Sequence, residues 1–171
     1  MNQIIVPATF ADLDIILGLF EEAIRYQRDN DYIGWKSMDV DFLKADIRHG
    51  LLYKVLSEGR ILGVFSVCFV DKLIWRDKEK GDAIYLHRIV LNRAYAGAKI
   101  FGLVLHWATS YARKNRLRYV RMDTWAENAK LIGYYQRYGF RVIENYTTED
   151  TNELPIQHRN LKVALLELEI K

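Results

Sequence analysis

The stretch that most narrows the folds open to this chain is Leu86–Leu105, LHRIVLNRAYAGAKIFGLVL. Its first part, Leu86–Leu91, is apolar and β-branched enough for a strand buried on both faces. Its last part places Ile100, Phe101, Val104, Leu105 and Ala108 at the 3.6-residue period of a helix. Between them lies a short turn, Asn92–Ala98, whose one glycine is Gly97. After the helix, which the pattern carries to Lys114, Leu117–Asp123 alternates apolar Leu117, Tyr119 and Val120 with Arg118 and Arg121, and is predicted to be a strand. A strand–helix–strand unit of this length is a right-handed crossover that leaves its strands parallel. A strand that turns tightly into a helix also aims the unpaired N–H groups of the first helical turn off the strand's end. With the helix dipole behind them, those groups favour an anion, commonly a phosphate.

The remaining segments fit around this unit. Gln3–Pro7 reads as a first strand, and Thr9-x-x-Asp12 is a helix start signal followed by Leu13, Ile16, Leu17, Phe20 and Ile24 on one face. Tyr26–Trp35, with its mixture of aromatics, charges and Gly34, reads as a loop with the character of a ligand contact. Asp39 caps a short helix, Val40–Arg48, which His49-Gly50 ends. Leu51–Leu56 and Ile61–Val70 are apolar runs joined by Ser57-Glu58-Gly59-Arg60, a hairpin signal. Asp71–Gly81 is polar and lysine-rich and is expected to be solvated. A helix over Asn128–Arg137 presents Leu131, Tyr134, Tyr135 and Tyr138, with Gly139 as its left-handed cap. Phe140–Tyr146 and Leu161–Ile170 are closing strands, with a polar loop, Thr147–Asn160, between them. The expected architecture is a single α/β (α+β) domain over 1–171, a mixed and mostly antiparallel sheet of about seven strands with one parallel pair, flanked by about four helices.

Composition bounds the function. The chain has 171 residues, half of them apolar, and a formal net charge of +3. That is ordinary for a soluble globular protein large enough to bury its own core. A charge this mild suits a small anionic ligand and gives no reason to expect nucleic acid. Arg113, Lys114, Arg116, Arg118 and Arg121 straddle a helix end and a strand, where cations favour the helix C-terminus in any case. The one cysteine, Cys68, has no internal disulfide partner and reads as a small buried hydrophobe in a reducing compartment. No apolar run approaches the roughly 18 residues of a membrane span, and no leader pattern opens the chain, so a cytoplasmic location without membrane association is expected. His106 and His158 stand at no metal-ligand spacing from other donors, and no metal site is expected.

Asn128-Ala-Lys-Leu-Ile-Gly-Tyr-Tyr135-Gln-Arg-Tyr-Gly139-Phe140 follows a strand directly. It resembles the pattern of the GCN5-related N-acetyltransferase (GNAT) superfamily: Asn, Tyr seven residues on, and Gly-Phe four and five after that. The Thr9-x-x-Asp12 helix start and the Ile89-Val90-Leu91 strand end match the same layout, and the similarity covers nearly the whole chain. The departure lies in the phosphate turn, where family members read Gln/Arg-x-x-Gly-x-Gly/Ala. Aligned on Tyr95 and Gly97, this chain has Ala96, Lys99 and Phe101 at those three positions, and only the neighbouring Gly97 agrees.

The resemblance implies transfer of an acetyl group from acetyl-CoA to a primary amine of a small molecule or peptide. The alternatives are an acyltransferase with a longer acyl-CoA, or a non-catalytic, regulatory acyl-CoA-binding module. It implies that Ile89 and Leu91 pair through their backbones with the coenzyme's pantetheine arm. Gly97, Ala98, Lys99, Ile100, Phe101 and Gly102 would hold the pyrophosphate, and Asn128 would hydrogen-bond the coenzyme. Lys99 either supplies charge there or is a solvated lysine at a helix start, and Asn128 is equally a helix N-cap. Tyr135 would donate a proton or a hydrogen bond to the leaving sulfur. A phenol with a pKa of about 10 is a weaker acid than a thiol near 8.5, so full transfer runs uphill by roughly 2 kcal/mol. Its alternative role is to pack its ring into the core. His87 is the candidate base, acting through water, or else a structural strand histidine. Tyr32 and Trp35 fall where the family shapes its acceptor pocket, and Glu21 and Glu22 nearby read as a solvated helix face. A tendency toward homodimers is all that the family implies about assembly.

Overall fold

Strands and helices follow one another as the periodicities predict, with one addition. The computed structural model describes residues 3–95, 97 and 99–171. The elements are β1 (Gln3–Pro7), α1 (Leu13–Asp29), α2 (Val40–Arg48), β2 (Leu52–Ser57), β3 (Arg60–Cys68), α3 (Lys72–Trp75), β4 (Ala83–Leu91), α4 (Ile100–Lys114), β5 (Tyr119–Trp125), α5 (Ala129–Gln136), β6 (Arg141–Thr147) and β7 (Lys162–Glu169). The sheet has seven strands in the order β1-β2-β3-β4-β5-β7-β6. β4 and β5 are parallel, as a helical crossover requires, in register from Ala83↔Tyr119 to Leu86↔Met122. β5 pairs antiparallel with β7 from Tyr119↔Glu169 to Trp125↔Val163.

The chain clusters into two compact units, and β4 contributes to both. The first holds the chain up to Val67 together with His87–Trp107. Its core joins Ile16, Leu19 and Phe20 of α1 to Leu43 and Ile47 of α2, Leu52 of β2, Ile61 and Val64 of β3, and Val90 of β4. Asp12 completes a capping box with Thr9 ahead of α1, and Asp39 accepts from the Phe42 N–H to cap α2. These side chains fix where both helices begin.

The second unit holds Cys68–Leu86 and Ala108–Lys171. Its core cluster takes Ile74, Trp75, Ala83, Tyr85, Leu154, Val163 and Leu165. Arg121 lies inside this unit at 5% exposure. Its Nε donates to Glu167 Oε2 at 2.8 Å, and its Nη1 donates to the Lys78 carbonyl at 3.0 Å and the Tyr85 hydroxyl at 3.1 Å. Burial on this scale removes Arg121 from the basic series around it, and Arg118 is paired with Glu169.

Three expectations are corrected. α1 runs on to Asp29, so Tyr26–Asp29 is helix rather than loop; the polar mixture there is the solvated face of a continuing helix. The segment after β3 is not simply solvated. Asp71 caps the four-residue α3, and Ile74 and Trp75 are 2% and 0% exposed. The helices therefore number five among the described residues. Cys68 is half-buried at the end of β3 rather than fully enclosed. Among the described residues, no helix is long and apolar enough to cross a membrane.

Candidate active site

In the first unit, β4 runs five residues, His87–Leu91, past the end of its ladder at Leu86↔Met122. At the start of this extension Arg88 takes a left-handed backbone conformation, φ +49°. That region costs a non-glycine residue on the order of 1 kcal/mol or more. In an extended strand successive N–H groups alternate between the two edges, and a left-handed residue breaks the alternation. His87 is buried, and Val90 belongs to the core of the unit. Ile89 is half-buried, whereas Leu91 is exposed.

β3 grips the far end of the same extension. The Asn92 N–H donates to the Leu62 carbonyl at 2.8 Å, and Asn92 Nδ2 donates to the Ile61 carbonyl at 2.9 Å. Gly63 is needed for this approach, because a Cβ there would lie 2.9 Å from the Val90 carbonyl oxygen. Asn92 Oδ1 then accepts from the Ala94 N–H at 3.0 Å and starts the turn.

The turn passes through a single 3-10 turn, Arg93–Tyr95. Gly97 has φ +95° and Lys99 has φ +47°. Lys99 thus adopts, at a position where the family pattern carries glycine, a backbone that glycine would take more easily. Its side chain is exposed. Ile100 and Phe101 are 3% and 2% exposed, so the two bulky side chains of the turn go into the core. The Gly102 N–H bonds back to the Lys99 carbonyl at 3.0 Å. Ala96 and Ala98 lie outside the described residues.

On the helical side of the same unit, Trp35 meets the Phe20 ring edge-on at 5.5 Å, and its backbone N–H donates to Gln27 Oε1 at 3.0 Å. It packs on the core margin. Tyr32 is half exposed and T-shaped to Tyr26 at 5.7 Å. The Arg93 guanidinium sits over the Tyr26 ring, 3.1 Å from its centroid. Glu22, Arg25, Tyr26, Asp29, Asn30 and Arg93 line a shallow recess here. Arg93 and Tyr26 had no distinguishing signal in the sequence, since their meeting depends on α1 continuing past Tyr26.

The second unit places the other candidates. Asn128 Oδ1 accepts from the Leu131 N–H at 3.0 Å and caps α5. Tyr135 is 9% exposed, with Tyr134 edge-on at 5.5 Å and Phe140 at 6.3 Å. Burial, and then the neighbouring Tyr134 and Asp123, push its phenol above the ordinary tyrosine value. The group is therefore a protonated hydrogen-bond donor at neutral pH, and a poorer acid than an ordinary phenol. Tyr134, which shares a hydroxyl contact of 3.4 Å with Tyr138, is pushed up to about 12, chiefly by burial. Gly139 has φ +95°, and a Cβ there would come within 3.2 Å of Leu168. Phe140 is buried. Three positions of the Asn…Tyr…Gly-Phe pattern thus serve the fold as cap, left-handed terminus and core ring. His158, buried, has its carbonyl bonded by the Thr148 hydroxyl at 2.6 Å.

A strand that outruns its parallel ladder, breaks into a left-handed residue and turns into a helix start sets the first N–H groups of that helix off the strand's end, where an anion can be received. The chain belongs to the acetyltransferase (GNAT) family, which it matches over residues 17–140, and it is an N-acetyltransferase of that family. It is 25% identical over 142 residues to the uncharacterized N-acetyltransferase YesJ of Bacillus subtilis (strain 168), covering 78% of this chain and 79% of that one. Among solved structures it is similar in fold to a GNAT-family acetyltransferase from Listeria monocytogenes, with a TM-score of 0.75 and 20% identity over 98% of this chain and 95% of that chain. It is also similar to yncA, described as a putative acetyltransferase from Salmonella typhimurium with its cofactor acetyl-CoA. There the TM-score is 0.65 and the identity 18%, over 100% of this chain and 95% of that one.

Proposed function

We propose that the protein transfers the acetyl group of acetyl-CoA to a primary amine carried by a small molecule or a peptide. The observation that carries this reading is the β4 extension running into the start of α4. The side chains of Ile100 and Phe101 are buried, so bulk at these positions does not obstruct the backbone N–H groups at the helix start. The exposed Lys99 adds a positive charge beside them. This fits a pyrophosphate, whose charge a helix N-terminus favours.

Acetyl-CoA would supply a thioester, an activated acyl group with a thiol leaving group. Backbone groups of Ile89 and Leu91 pair with the pantetheine amides as an added strand would, and an N–H of this stretch faces the thioester oxygen as negative charge grows on it. Gly97, Ala98, Lys99, Ile100, Phe101 and Gly102 hold the pyrophosphate, and Asn128 hydrogen-bonds the coenzyme. Tyr135 donates a hydrogen bond to the departing sulfur. Its raised pKa makes donation, rather than full proton transfer, its main contribution. His87 draws the amine's proton through water, and Tyr32 and Trp35 shape the approach of the acceptor. The location is cytoplasmic, where the single cysteine stays reduced.

Calorimetric titration with acetyl-CoA, longer acyl-CoAs and free CoA, followed by thiol release against an amine panel, tests the reading. Saturable acetyl-CoA binding and amine-dependent thiol release are expected. Preference for a longer acyl chain would replace acetyl by that chain. Binding without thiol release for any amine would leave the non-catalytic module.

A further inference from the structure

One of the left-handed residues of the candidate site, Arg88, is held by a part-buried ion pair. The Arg88 side chain is 8% exposed, and its Nη2 is hydrogen-bonded to Asp46 Oδ2. Asp46, near the end of α2, is 14% exposed. Arg88 Nε donates to Ser66 Oγ on β3 at 3.3 Å, and Ser66 is fully buried. One guanidinium thus ties α2, β3 and β4 together at the single residue of β4 with a left-handed backbone.

Stability alone does not account for this arrangement. A buried ion pair returns little net stability, because taking both charges out of water offsets their attraction. Nor does the backbone call for arginine, since glycine would adopt φ +49° without a Cβ penalty. What an arginine held at both Nε and Nη2 supplies is a fixed position for the residue that bears it.

We infer that Arg88, clamped by Asp46 and Ser66, is a positioning residue: it fixes the break in β4 and so the direction in which the backbone of Ile89 faces the thioester. The inference deepens the proposed acetyl transfer and rests on that reading for its catalytic consequence. Arg88 touches no reacting atom in this account. It acts through the peptide that follows it, where a small rotation misdirects a hydrogen-bond donor.

Two measurements test it in the full chain. In the Arg88→Met/Asp46→Leu double variant, kcat for acetyl transfer is expected to fall at least about 30-fold. KM for acetyl-CoA should stay within about threefold and the melting temperature close to that of the wild type. Arg88→Lys, which keeps the charge toward Asp46, should recover part of the loss. A folded double variant with kcat within about threefold of wild type would overturn the clamp. Should that variant not fold, Asp46→Asn takes its place under the same criteria. The second measurement needs no turnover. A strong intraresidue Hα–HN nuclear Overhauser effect marks positive φ, and at residue 88 it should weaken in Asp46→Asn. An unchanged effect at residue 88 would overturn the clamp even if the wild type proves inactive. A wild type that binds no acetyl-CoA would instead defeat the proposed function.

Discussion

Each of the two units buries one arginine against a carboxylate, and the two pairs are used differently. Arg121 sits in β5, which is laddered to β4 on one side and β7 on the other. It has Glu167, the Tyr85 hydroxyl and the Lys78 carbonyl as partners, with Asp82 at 3.5 Å. Its guanidinium lies 4.6 Å from the rings of both Trp75 and Tyr119. Tyr85 in turn is pushed up, chiefly by burial and then by its hydrogen bond to Glu79. Arg88 has a left-handed backbone and two side-chain partners, Asp46 and Ser66. The same functional group thus fills a polar core in one unit and holds an irregular strand in the other. A buried arginine says little by itself; the backbone it stands on says which job it does.

The largest expected difference is in stability. Arg121→Leu should cost about 3–5 kcal/mol in denaturant unfolding, because Glu167 and Tyr85 lose their partner inside the core. Removing both members of the Arg88–Asp46 pair should cost far less. Equal losses would erase the contrast. Next in size is a purely catalytic effect. Tyr135→Phe should lower kcat by about a hundredfold while leaving the unfolding midpoint nearly unchanged, and a wild-type rate would remove Tyr135 from the reaction.

A third effect is confined to pH. Glu144 is held down to about 2, first by the hydrogen bond from Arg76 and then by that from Lys78, at 2.7 and 2.6 Å. A carboxylate with a depressed folded pKa stabilises the fold above its unfolded value, near 4.5. That contribution is lost as pH falls toward 2. Acid titration of Glu144→Gln should therefore show a shallower loss of stability across this window than the wild type. An identical profile would show that the Arg76–Glu144–Lys78 contacts are too solvated to matter.

The smallest effect concerns the turn. Lys99→Gly should relieve left-handed strain, stabilising the protein by at most about 1 kcal/mol. It should also weaken acetyl-CoA binding by removing a charge. Unchanged affinity would make Lys99 a solvated lysine.

These contrasts follow what the sequence made visible. The β4–α4–β5 crossover was legible because a buried strand and an amphipathic helix have different periods. The helix predicted over Asn128–Arg137, and found as Ala129–Gln136, was legible because cap, apolar face and left-handed glycine stand at fixed offsets. α3 was not: four residues span too little chain for a period, so the burial of Trp75 left no trace in a lysine-rich segment. The end of α1 was misread because Tyr26, Gln27 and Arg28 are equally at home on a solvated helix face and in a loop. The positive φ at Arg88 had no signal at all, since arginine neither favours nor announces that conformation. Its partner Asp46 stands 42 residues earlier. The turn misled in a different way. Lys99 and Phe101 depart from the glycine pattern, yet Lys99 takes a left-handed backbone and Phe101 turns its ring inward.

The most direct test of the central claim is product analysis of the purified protein with acetyl-CoA and the most reactive amine of a panel. Acetylated amine and free CoA thiol should appear mole for mole, both slowed together in Tyr135→Phe. Thiol release without acetylated amine, or saturable acetyl-CoA binding with neither product for any amine, would contradict it.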